Sequence, residues 1–598
     1  MPGKRTRKPL APDKARSYWS ARDASLALPY FLNLLCPTSY ATPTTNHPTY
    51  PADDTTSSIY TPLTREVSVR KALNGPTRDK AAPAVAKELT KVFTLYDALE
   101  LFDYSKRDHD AVLIHSRMLI KDKYHGDGSY DKTSARLAAG GNTQPSDSYV
   151  DTFAPTVDET LNKLIVAAFF ADAVKNNYLQ DMVMCDFDVP GAFLNVPLDR
   201  KSCPRQILMR LQPDLPHPFA GKWCLVKKGL YGLKQSNALF AADLKAQFLK
   251  AGFLPSEADP CVYIKVSPTD PTRKCIVSMH VDDGQVVHNS PQLYQDLVTV
   301  LEERYGPLTH NASTTSYLGQ NIKVDSTTGR VTYNMEGYIK RFLQEYNITG
   351  TSPSPSDDTL FQPPTNLAPV NQKDYQRIIG GLIYCLKTRH DIRKEVVHLS
   401  SRCSSPTVSD LSKAIRVLRY LNFTPTLGPS YYTDEGPVLT AHVDASYGVH
   451  SDGSSQSGFY LSIGRHSAPI HCHAAAQRSC VSSSSMEAEY VALSSCGKRI
   501  AHYRHFLETI GFAQDNPTII YEDNQSAINL AQAPEIPRKS RHIHVRHHYI
   551  RRLVQDKLVK IVHLPTTSMV ADMLTKPLPI RQFLHFSQLL LNTLPSTP

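Results

Sequence analysis

Two adjacent carboxylates occur in the segment SMHVDDGQVV, residues 278–287. Asp282 and Asp283 directly follow an apolar run at 275–281 that predicts a strand, and a second short strand is predicted after Gly284. Asp-Gly is a common hairpin connector, and acids in turns are usually solvated. This segment alone therefore fits either a solvated turn or a pair of catalytic acids.

A second pair of acids lies upstream, in MVMCDFDVPGAFLN, residues 182–195. The segment begins as an apolar strand, carries Asp186 and Asp188, and passes through a Pro-Gly pair into a predicted helix. Residues i and i+2 of a strand share a face, so either acid could lie beside the hairpin tip. Asp188 together with Asp282 and Asp283 would form a cluster of three carboxylates.

Such a cluster indicates a particular chemistry. Carboxylates gathered this closely repel one another, and divalent cations relieve that repulsion. Mg²⁺ accepts one or two protein carboxylates together with substrate phosphates. Two ions about 4 Å apart can activate an attacking hydroxyl and stabilise the leaving oxygen of an in-line phosphoryl displacement. The three acids therefore predict nucleotidyl transfer.

The C-terminal part of the chain carries further acids at predicted strand ends and helix starts. In the segments VLTAHVDAS, SSSSMEAEYVALSSC, PTIIYEDNQSAINLA and TTSMVADMLTK, these acids are Asp444, Glu487, Glu489, Glu522, Asp523 and Asp572. Such positions border the cleft that can form at one edge of an α/β sheet. Taken singly, each acid is better explained as a helix cap or a solvated charge.

Composition narrows the class of protein. The 598 residues are 41% hydrophobic and 20% charged, as in folded globular chains. No run approaches the roughly 20 apolar residues that a membrane span needs. The eleven cysteines are scattered without a CxxC pair, which predicts reduced thiols and neither a zinc module nor a disulfide framework. A formal charge of +10 favours an anionic partner.

Changes in composition predict how the chain is divided. Residues 1–65 are rich in Pro, Thr and Ser and open with a basic run, which predicts a flexible leader; a nuclear-localisation role for that run is the alternative. Helical spacing is present over 85–102. The predicted segments after the leader are a mixed unit at 66–350, a Pro/Ser-rich linker and helical connection at 351–436, an α/β unit at 437–578 and a tail at 579–598.

Several motifs occur in a fixed order along residues 66–420. They are KTSARLAAGGNTQ, DTFAPTVDE, DVPGAFLN, GLYGLKQS, VDD, YLGQNI and YQRIIGGLIYCLKTRHDI. This series resembles the reverse transcriptase of copia-type LTR retrotransposons, and the ordered acids after residue 436 are similar to the RNase H domain that follows it in those elements. The resemblance implies an α+β and α/β multidomain chain. Its parts would be a right-hand polymerase of fingers, palm and thumb, a helical connection, and an RNase H-like α/β domain with a five-stranded mixed sheet.

The resemblance also implies roles for residues of the polymerase. Asp188, Asp282 and Asp283 would ligate two metal ions. Phe193 would exclude a 2′-hydroxyl, or else would be a core aromatic. Arg136 would hold the triphosphate, because a guanidinium fork suits phosphate oxygens. The GLYGLKQS loop would line the nucleotide and template through Tyr231, Gly232, Lys234 and Gln235.

Two positions depart from the family pattern. His280 stands where the family usually has Tyr before Val-Asp-Asp, and an imidazole is smaller and can titrate. Val196 follows the Asn of GAFLN where a Gly is common. The departures put efficiency or fidelity in question but remove no metal ligand.

In the RNase H-like part, the resemblance assigns two Mg²⁺ ions to Asp444, Glu489, Asp523 and Asp572. Glu487 and Glu489 are easily exchanged in this assignment. The segment RKSRHIHVRHHYIRR, residues 538–552, would contact phosphates of the duplex, and its histidines are better explained in that way than as a metal site. The residues predicted to make these contacts are Arg538, Lys539, Arg541, His542 and Arg546.

The predicted function is an RNA- and DNA-directed DNA polymerase with an associated RNase H. Its expected cofactor is Mg²⁺, two ions per site, with Mn²⁺ as a substitute. Its partners would be an RNA template, a DNA primer, the RNA–DNA hybrid and deoxynucleoside triphosphates, with no membrane and with the oligomeric state open. The family implies cytoplasmic virus-like particles, with the nucleus as a second location. The rival hypothesis is a catalytically impaired or domesticated remnant that only binds nucleic acid; the chain would be such a remnant, a processed product or a fragment.

Overall fold

The computed structural model describes residues 69–75, 77–124, 130–478, 482–540 and 542–593. The chain divides into two units, Met1–Ile59 and Tyr60–Pro598, and all described residues belong to the second. The predicted leader therefore lies outside the described residues. Strands and helices are numbered below in chain order.

The first sheet has five strands in the order β1-β6-β5-β2-β3. They are β1 (Leu99–Leu101), β2 (Val112–Tyr124), β3 (Tyr130–Ala139), β5 (Ile207–Arg210) and β6 (Trp223–Val226). Helices α1 (Val69–Asn74) and α2 (Arg78–Thr90) pack on it. The helix predicted over 85–102 is wrong in its second half, because one π-helical turn after α2 leads to a left-handed residue, Asp97 (φ 47°), and then to β1, which pairs with β6.

The second sheet has six strands in the order β11-β4-β10-β9-β8-β7. They are β4 (Val183–Asp188), β7 (Leu254–Pro255), β8 (Val262–Val266), β9 (Lys274–His280), β10 (Asp283–His288) and β11 (Thr309–Asn311). The helices of this region are α3 (Glu159–Lys175), α4 (Ser236–Lys250) and α5 (Pro291–Tyr305). The helix predicted after the Pro-Gly pair is a single 3₁₀ segment, Ala192–Asn195, which Gly191 enters with a left-handed backbone (φ 64°).

A smaller sheet of four strands follows, in the order β12-β13-β14-β15. Its strands are β12 (Ser316–Tyr317), β13 (Gln320–Asp325), β14 (Arg330–Asn334) and β15 (Ser430–Tyr431). The helices between β14 and β15 are α6 (Glu336–Glu345), α7 (Gln372–Cys385), α8 (Arg393–Ser400) and α9 (Val408–Phe423). Because β15 pairs with β14, the chain returns to this sheet near the end of the segment predicted as a helical connection.

The C-terminal sheet has five strands in the order β18-β17-β16-β19-β20. They are β16 (Leu439–Ser446), β17 (Gln456–Ile463), β18 (Pro469–Ala476), β19 (Thr518–Glu522) and β20 (Val559–His563). The first three strands are antiparallel, and β16, β19 and β20 are parallel, which confirms the predicted mixed sheet.

The helices of the C-terminal region are α10 (Ser485–Thr509), α11 (Gln525–Gln532), α12 (Tyr549–Gln555) and α13 (Ile580–Leu590). Asp572 was expected to open a helix, but it lies in a 3₁₀ segment, Val570–Leu574. Helix α13 lies within the segment predicted as a tail, and it buries Phe583, Phe586 and Leu590 in the core.

One hydrophobic core extends from the six-stranded sheet into the C-terminal sheet. Phe169 of α3 packs edge-on against Phe512, with ring centroids 5.6 Å apart. The hydroxyls of Ser256 and Thr509 lie 2.7 Å apart. The segments that the sequence divides by a linker therefore share apolar packing. None of the helices in the described ranges is long and apolar enough to cross a membrane.

A buried ion pair holds the helical connection together. Arg389 Nε and Nη2 donate to the two carboxylate oxygens of Asp391 at 3.0 and 2.8 Å, and both side chains are completely buried. The Tyr420 hydroxyl donates to Asp391 Oδ2 at 2.6 Å, and Arg389 Nη1 donates to the Thr424 carbonyl at 2.8 Å. Tyr420 and Thr424 lie in and just after α9, so the pair fixes that helix to the turn after α7.

Asp391→Asn should lower the free energy of unfolding by about 3–5 kcal/mol, because it leaves the Arg389 guanidinium buried without a counter-charge. The matched control is Glu303→Gln, which removes an exposed partner of Lys250 and should leave the unfolding midpoint unchanged. Urea unfolding followed by circular dichroism measures both. Equal midpoints for the two variants would show that the buried pair is not structurally important.

Candidate active sites

The tip of the hairpin differs from the solvated Asp-Gly turn. Asp283 pairs with His280 across β9 and β10, so the two turn residues are Val281 and Asp282. Asp283 and Gly284 lie inside β10, and the Asp-Gly turn is therefore wrong. Val281 has a left-handed backbone (φ 63°), which is rare for a β-branched residue. The strand pairing fixes both acids at one end of the sheet.

The register of the six-stranded sheet brings Asp188 to this end. Asp188 of β4 lies directly opposite Asp283 of β10. Opposite residues of antiparallel strands have Cβ atoms about 4.5–5.5 Å apart. The Val189 amide donates to the Asp282 carbonyl at 3.1 Å, which ties the turn to the end of β4. Asp186 lies two residues back, where its Oδ1 accepts from Asn311 Nδ2 at 2.6 Å.

Groups of acids whose oxygens are close enough to bind one cation occur elsewhere in the structure. Across the described parts of the chain, two sets of three carboxylates have oxygens within 4.8 Å of one another, and both are in the C-terminal region. Asp188, Asp282 and Asp283 do not form such a set, although the sheet register places them together. Mg²⁺ that binds through few carboxylates completes its shell with substrate phosphates and water.

An aromatic and cationic group adjoins these aspartates. The Arg136 guanidinium lies 3.8 Å from the centroid of the Tyr231 ring. Phe193 packs edge-on against the same ring at 4.9 Å. Burial raises the pKa of Tyr231 to about 12, and the negative charges of Asp282 and Asp188 add to the rise. Arg136, which is predicted to bind the triphosphate, and Phe193, which is predicted to exclude a 2′-hydroxyl, therefore both contact Tyr231 beside the aspartates.

The remaining residues of the GLYGLKQS loop have different surroundings. Gly232 (φ 90°) lies so close to β3 that a Cβ would stand 2.2 Å from the Ala139 carbonyl oxygen. Lys234 Nζ donates to the Gln144 carbonyl at 3.2 Å. Gln235 is completely buried and accepts from Gln144 Nε2 at 3.2 Å. Gln235 therefore supports the loop from inside rather than facing open space.

Of the two residues that depart from the family pattern, His280 is half-buried and Val196 is buried. Burial and the charge of Lys387 lower the pKa of His280, and the nearby Asp282 acts in the opposite direction. His280 is therefore neutral near pH 7. Val196 is buried in the core below the aspartates and donates its amide to the Phe193 carbonyl at 3.2 Å.

The C-terminal acids converge at one end of the C-terminal sheet. Oxygens of Asp444, Asp523 and Asp572 lie within 4.8 Å of one another. Asp444 accepts a hydrogen bond from the Thr575 hydroxyl, and Asp523 Oδ2 accepts one from Thr566 Oγ1 at 2.7 Å. The structure thus brings together three of the four acids predicted for this site.

Glu489 joins them and Glu487 does not. Glu487 Oε2 accepts from the Ser483 amide and hydroxyl, both at 2.7 Å, and lies 3.6 Å from His542 Nε2. Glu489 faces the other acids, and its oxygens lie within 4.8 Å of those of Glu522 and Asp523. Of the two glutamates, the structure places Glu489 with the other acids, and the assignment of Glu489 as a metal ligand stays a prediction.

Glu522 is an acid of this site that sequence reasoning did not select. It ends β19, is completely buried, and belongs to the same set as Glu489 and Asp523. The signal was its position two residues after the buried Ile520, because residues i and i+2 of a strand share a face. That face packs against α10, which carries Glu489.

The site concentrates negative charge in a buried place. Burial and the neighbouring acids Glu522 and Asp444 hold the pKa of Glu489 well above its usual range. Burial and Asp444 likewise raise the pKa of Asp572 to about 7, although Lys576 Nζ forms an ion pair with its Oδ1 at 2.9 Å. Glu489 Oε2 and Glu522 Oε2 are buried and accept no hydrogen bond. Hard oxygen donors in this arrangement fit a divalent cation such as Mg²⁺.

The predicted phosphate contacts lie beside α10. Arg538 is exposed in a 3₁₀ segment, and His542 and Arg546 follow it on the same stretch of chain. The Arg546 carbonyl accepts from Ser494 of α10 at 3.4 Å. Arg541 and the side chain of Lys539 lie outside the described residues.

Comparisons with known proteins show which families the chain is similar to. Residues 100–356 match the family described as reverse transcriptase (RNA-dependent DNA polymerase). The chain is 29% identical to a Pol polyprotein from transposon RE1 of Arabidopsis thaliana, over 79% of this chain and 31% of that protein. It is 27% identical to a Pol polyprotein from transposon TNT 1-94 of Nicotiana tabacum, over 86% of this chain and 38% of that protein. The solved structure of LC11-RNase H1 aligns with 23% of this chain and 93% of that chain, at 14% identity and with a TM-score of 0.19.

Residues 100–356 are thus similar to reverse transcriptases, and they lie in mixed α/β structure. Its relatives are the Pol polyproteins of copia-type retrotransposons, which confirms the resemblance in the motifs. The chain spans about a third of the length of the plant polyproteins that it matches.

The raised pKa of Asp572 predicts how stability depends on pH without divalent cations. Its folded-state pKa of about 7 lies above the unfolded value of ~3.9, so the folded state holds the extra proton between these values. The associated stability is fully present below about pH 4 and is lost as the pH rises through about 7. When a chelator removes divalent cations, the unfolding temperature of the wild type should therefore fall more between pH 5 and pH 8 than the unfolding temperature of Asp572→Asn.

Differential scanning calorimetry in EDTA measures both proteins, and Mg²⁺ should restore wild-type stability at pH 8 because metal and proton compete for the carboxylates. If the unfolding temperatures of the two proteins change equally with pH, the raised pKa of Asp572 is contradicted.

Proposed function

We propose that this chain is the reverse transcriptase and ribonuclease H region of a copia-type retrotransposon polyprotein. Its first site would extend DNA on RNA and DNA templates, and its second would cleave the RNA strand of RNA–DNA hybrids. One arrangement carries the polymerase part: Asp188 lies opposite Asp283, and Arg136 stacks on Tyr231 beside them.

The proposal gives three of the sheets a part in a right-hand polymerase over residues 66–350, to which strand β15 of the third sheet is added from residues 430–431. The five-stranded sheet with Arg136 would form the fingers, the six-stranded sheet with the aspartates the palm, and the four-stranded sheet with α6 the thumb. Residues 351–436 would link this polymerase to an RNase H-like domain at 437–578, followed by the C-terminal segment 579–598. The strand orders support this division.

The polymerase residues would act on the incoming deoxynucleoside triphosphate. Arg136 has a delocalised positive charge that suits phosphate oxygens, and its stacking on Tyr231 fixes the plane of its guanidinium. Phe193, packed edge-on against Tyr231, would close the space that a 2′-hydroxyl needs. Asp188, Asp282 and Asp283 would hold two Mg²⁺ ions, which supply activation of the primer hydroxyl and stabilisation of the leaving phosphate.

The second site would act on the hybrid. Asp444, Glu489, Asp523 and Asp572 would hold two divalent ions, Mg²⁺ or Mn²⁺ as its substitute. Lys576 neutralises part of their charge through Asp572. The exposed Arg538 and Arg546, with the rest of the basic segment at 538–552, would contact phosphates of the duplex and make its affinity depend on salt.

The partners in this proposal are an RNA template, a DNA primer, the hybrid that they form, and deoxynucleoside triphosphates. The place of action would be the virus-like particle in the cytoplasm, and the nucleus as a second location. A remnant that only binds nucleic acid is the competing function. The expected metal ligands Asp188, Asp282, Asp283, Asp444, Glu489, Asp523 and Asp572 are all retained, which favours the enzyme.

Primer extension on an RNA template with Mg²⁺ tests the proposal. The full chain should incorporate deoxynucleotides, and a 5′-labelled RNA strand in a hybrid should be cleaved in a parallel assay. Binding of the primer–template without extension or cleavage, under conditions where a related enzyme works, would support the remnant instead.

Two single substitutions should separate the sites. Asp282→Asn should lower extension by about a hundredfold or more, because it removes a carboxylate from the polymerase site, and should leave hybrid cleavage largely intact. Asp444→Asn should lower hybrid cleavage and leave extension largely intact, because it removes a carboxylate from the second site. The rates of both reactions are measured for both variants and the wild type. If either substitution stops both reactions while circular dichroism shows a preserved fold, the two-site assignment is wrong.

A further inference from the structure

Glu522 has different surroundings from Asp391, another completely buried acid. Asp391, for example, is completely buried but receives two hydrogen bonds from Arg389 and one from Tyr420. Glu522 is also completely buried, and its Oε1 accepts a hydrogen bond from the Asn524 amide at 3.1 Å. Its Oε2 accepts none. A buried carboxylate oxygen without a partner costs free energy unless a ligand binds it.

The unpartnered oxygen lies beside two other carboxylates. Oxygens of Glu489, Glu522 and Asp523 are all within 4.8 Å of one another. Glu489 is 4% exposed, and its Oε2 is likewise buried without a hydrogen bond. Two oxygens from different elements, helix α10 and strand β19, therefore face the same small space. The ammonium of Lys576 is paired with Asp572, in the other set of acids.

The backbone holds Glu522 firmly in this place. The Leu564 amide donates to the Glu522 carbonyl at 2.9 Å, and Glu522 pairs with His563 across β19 and β20. The side chain lies on the face of β19 that packs against α10. The backbone of Glu522 is thus fixed at the end of the parallel pairing, with its side chain buried.

We propose that Glu522 is a further cation ligand, which completes a site of three protein carboxylates with Glu489 and Asp523. Asp523 would be shared with the neighbouring set of Asp444 and Asp572. The use of this cation in hybrid cleavage rests on the proposed function, whereas its binding does not. Because the protein supplies three carboxylates, this site should hold a divalent ion before nucleic acid binds, unlike a site that depends on substrate phosphates.

Binding of Mn²⁺ to the full chain, without nucleic acid, tests this inference. Electron paramagnetic resonance measures free Mn²⁺ in titrations of the wild type, Glu522→Gln and Glu487→Gln. Glu522→Gln should weaken the tightest site by at least about tenfold, because even second-shell changes have effects of that size. Glu487→Gln is the matched control: it removes a buried glutamate of α10 that faces Ser483, and it should bind Mn²⁺ like the wild type.

A second variant guards against misfolding. Glu522→Asp keeps the charge but withdraws the carboxylate by one methylene, so it should also bind Mn²⁺ more weakly. Wild-type affinity in either Glu522 variant that has a native circular dichroism spectrum overturns the inference, as does an equal loss in Glu487→Gln.

Hybrid cleavage, measured separately, distinguishes this inference from the proposed function. If Mn²⁺ binding depends on Glu522 but the wild type does not cleave hybrids, the cation site stands and the proposed ribonuclease function fails. If the wild type cleaves hybrids and Glu522→Gln binds Mn²⁺ with unchanged affinity, the function stands and Glu522 is not a ligand.

Discussion

Repulsion between carboxylates that strand pairing forces together is the constraint on which both sites depend. In the six-stranded sheet, the register that buries Phe187 and Val286 also sets Asp188 opposite Asp283. A shift of one residue would turn every side chain of the strand to the other face, so the apolar core and the acids are fixed together. The free energy of core packing therefore holds the acids in an arrangement that their charges oppose.

The same constraint operates in the C-terminal sheet with parallel strands. Strands β16 and β19 run side by side, which brings Asp444 near the acids that end β19. There Asp444 and Glu522 are buried, and burial together with the charge of Asp523 raises the pKa values of both. A divalent cation balances such charges better than protons do at neutral pH, because it binds several oxygens at once. Under the proposed function, the two sites would differ in how many carboxylates the protein supplies to each cation.

Much of this arrangement was predictable from the sequence, and the failures have physical causes. The strand with Asp186 and Asp188 follows from an apolar pattern, and the mixed C-terminal sheet was implied by the family resemblance; both are present. The hairpin turn was misplaced because an Asp-Gly pair is a strong local signal, whereas the register of three strands puts the turn at Val281. Local propensity would place glycine, rather than valine, at a positive φ.

Tertiary contacts explain the other differences. Helical spacing continues to residue 102, but pairing of Leu99 with Val226 takes that segment into a sheet. Glu487 and Glu489 lie two residues apart on one helix, and the sequence alone does not show which one meets the sheet. Glu522 was passed over because its neighbour Asp523 matched the family motif. Helix α10 and strand β19 share one hydrophobic core, which brings Glu489 and Glu522 into one site.

The most direct test is where divalent ions bind in a crystal of the full chain with primer–template and a deoxynucleoside triphosphate. Anomalous scattering from Mn²⁺ locates each ion without reference to activity. Peaks should lie between Asp188, Asp282 and Asp283 in one region and among the C-terminal acids in the other. Ordered substrate with Mn²⁺ peaks only at other carboxylates would show that these acids converge for a reason unrelated to metal binding.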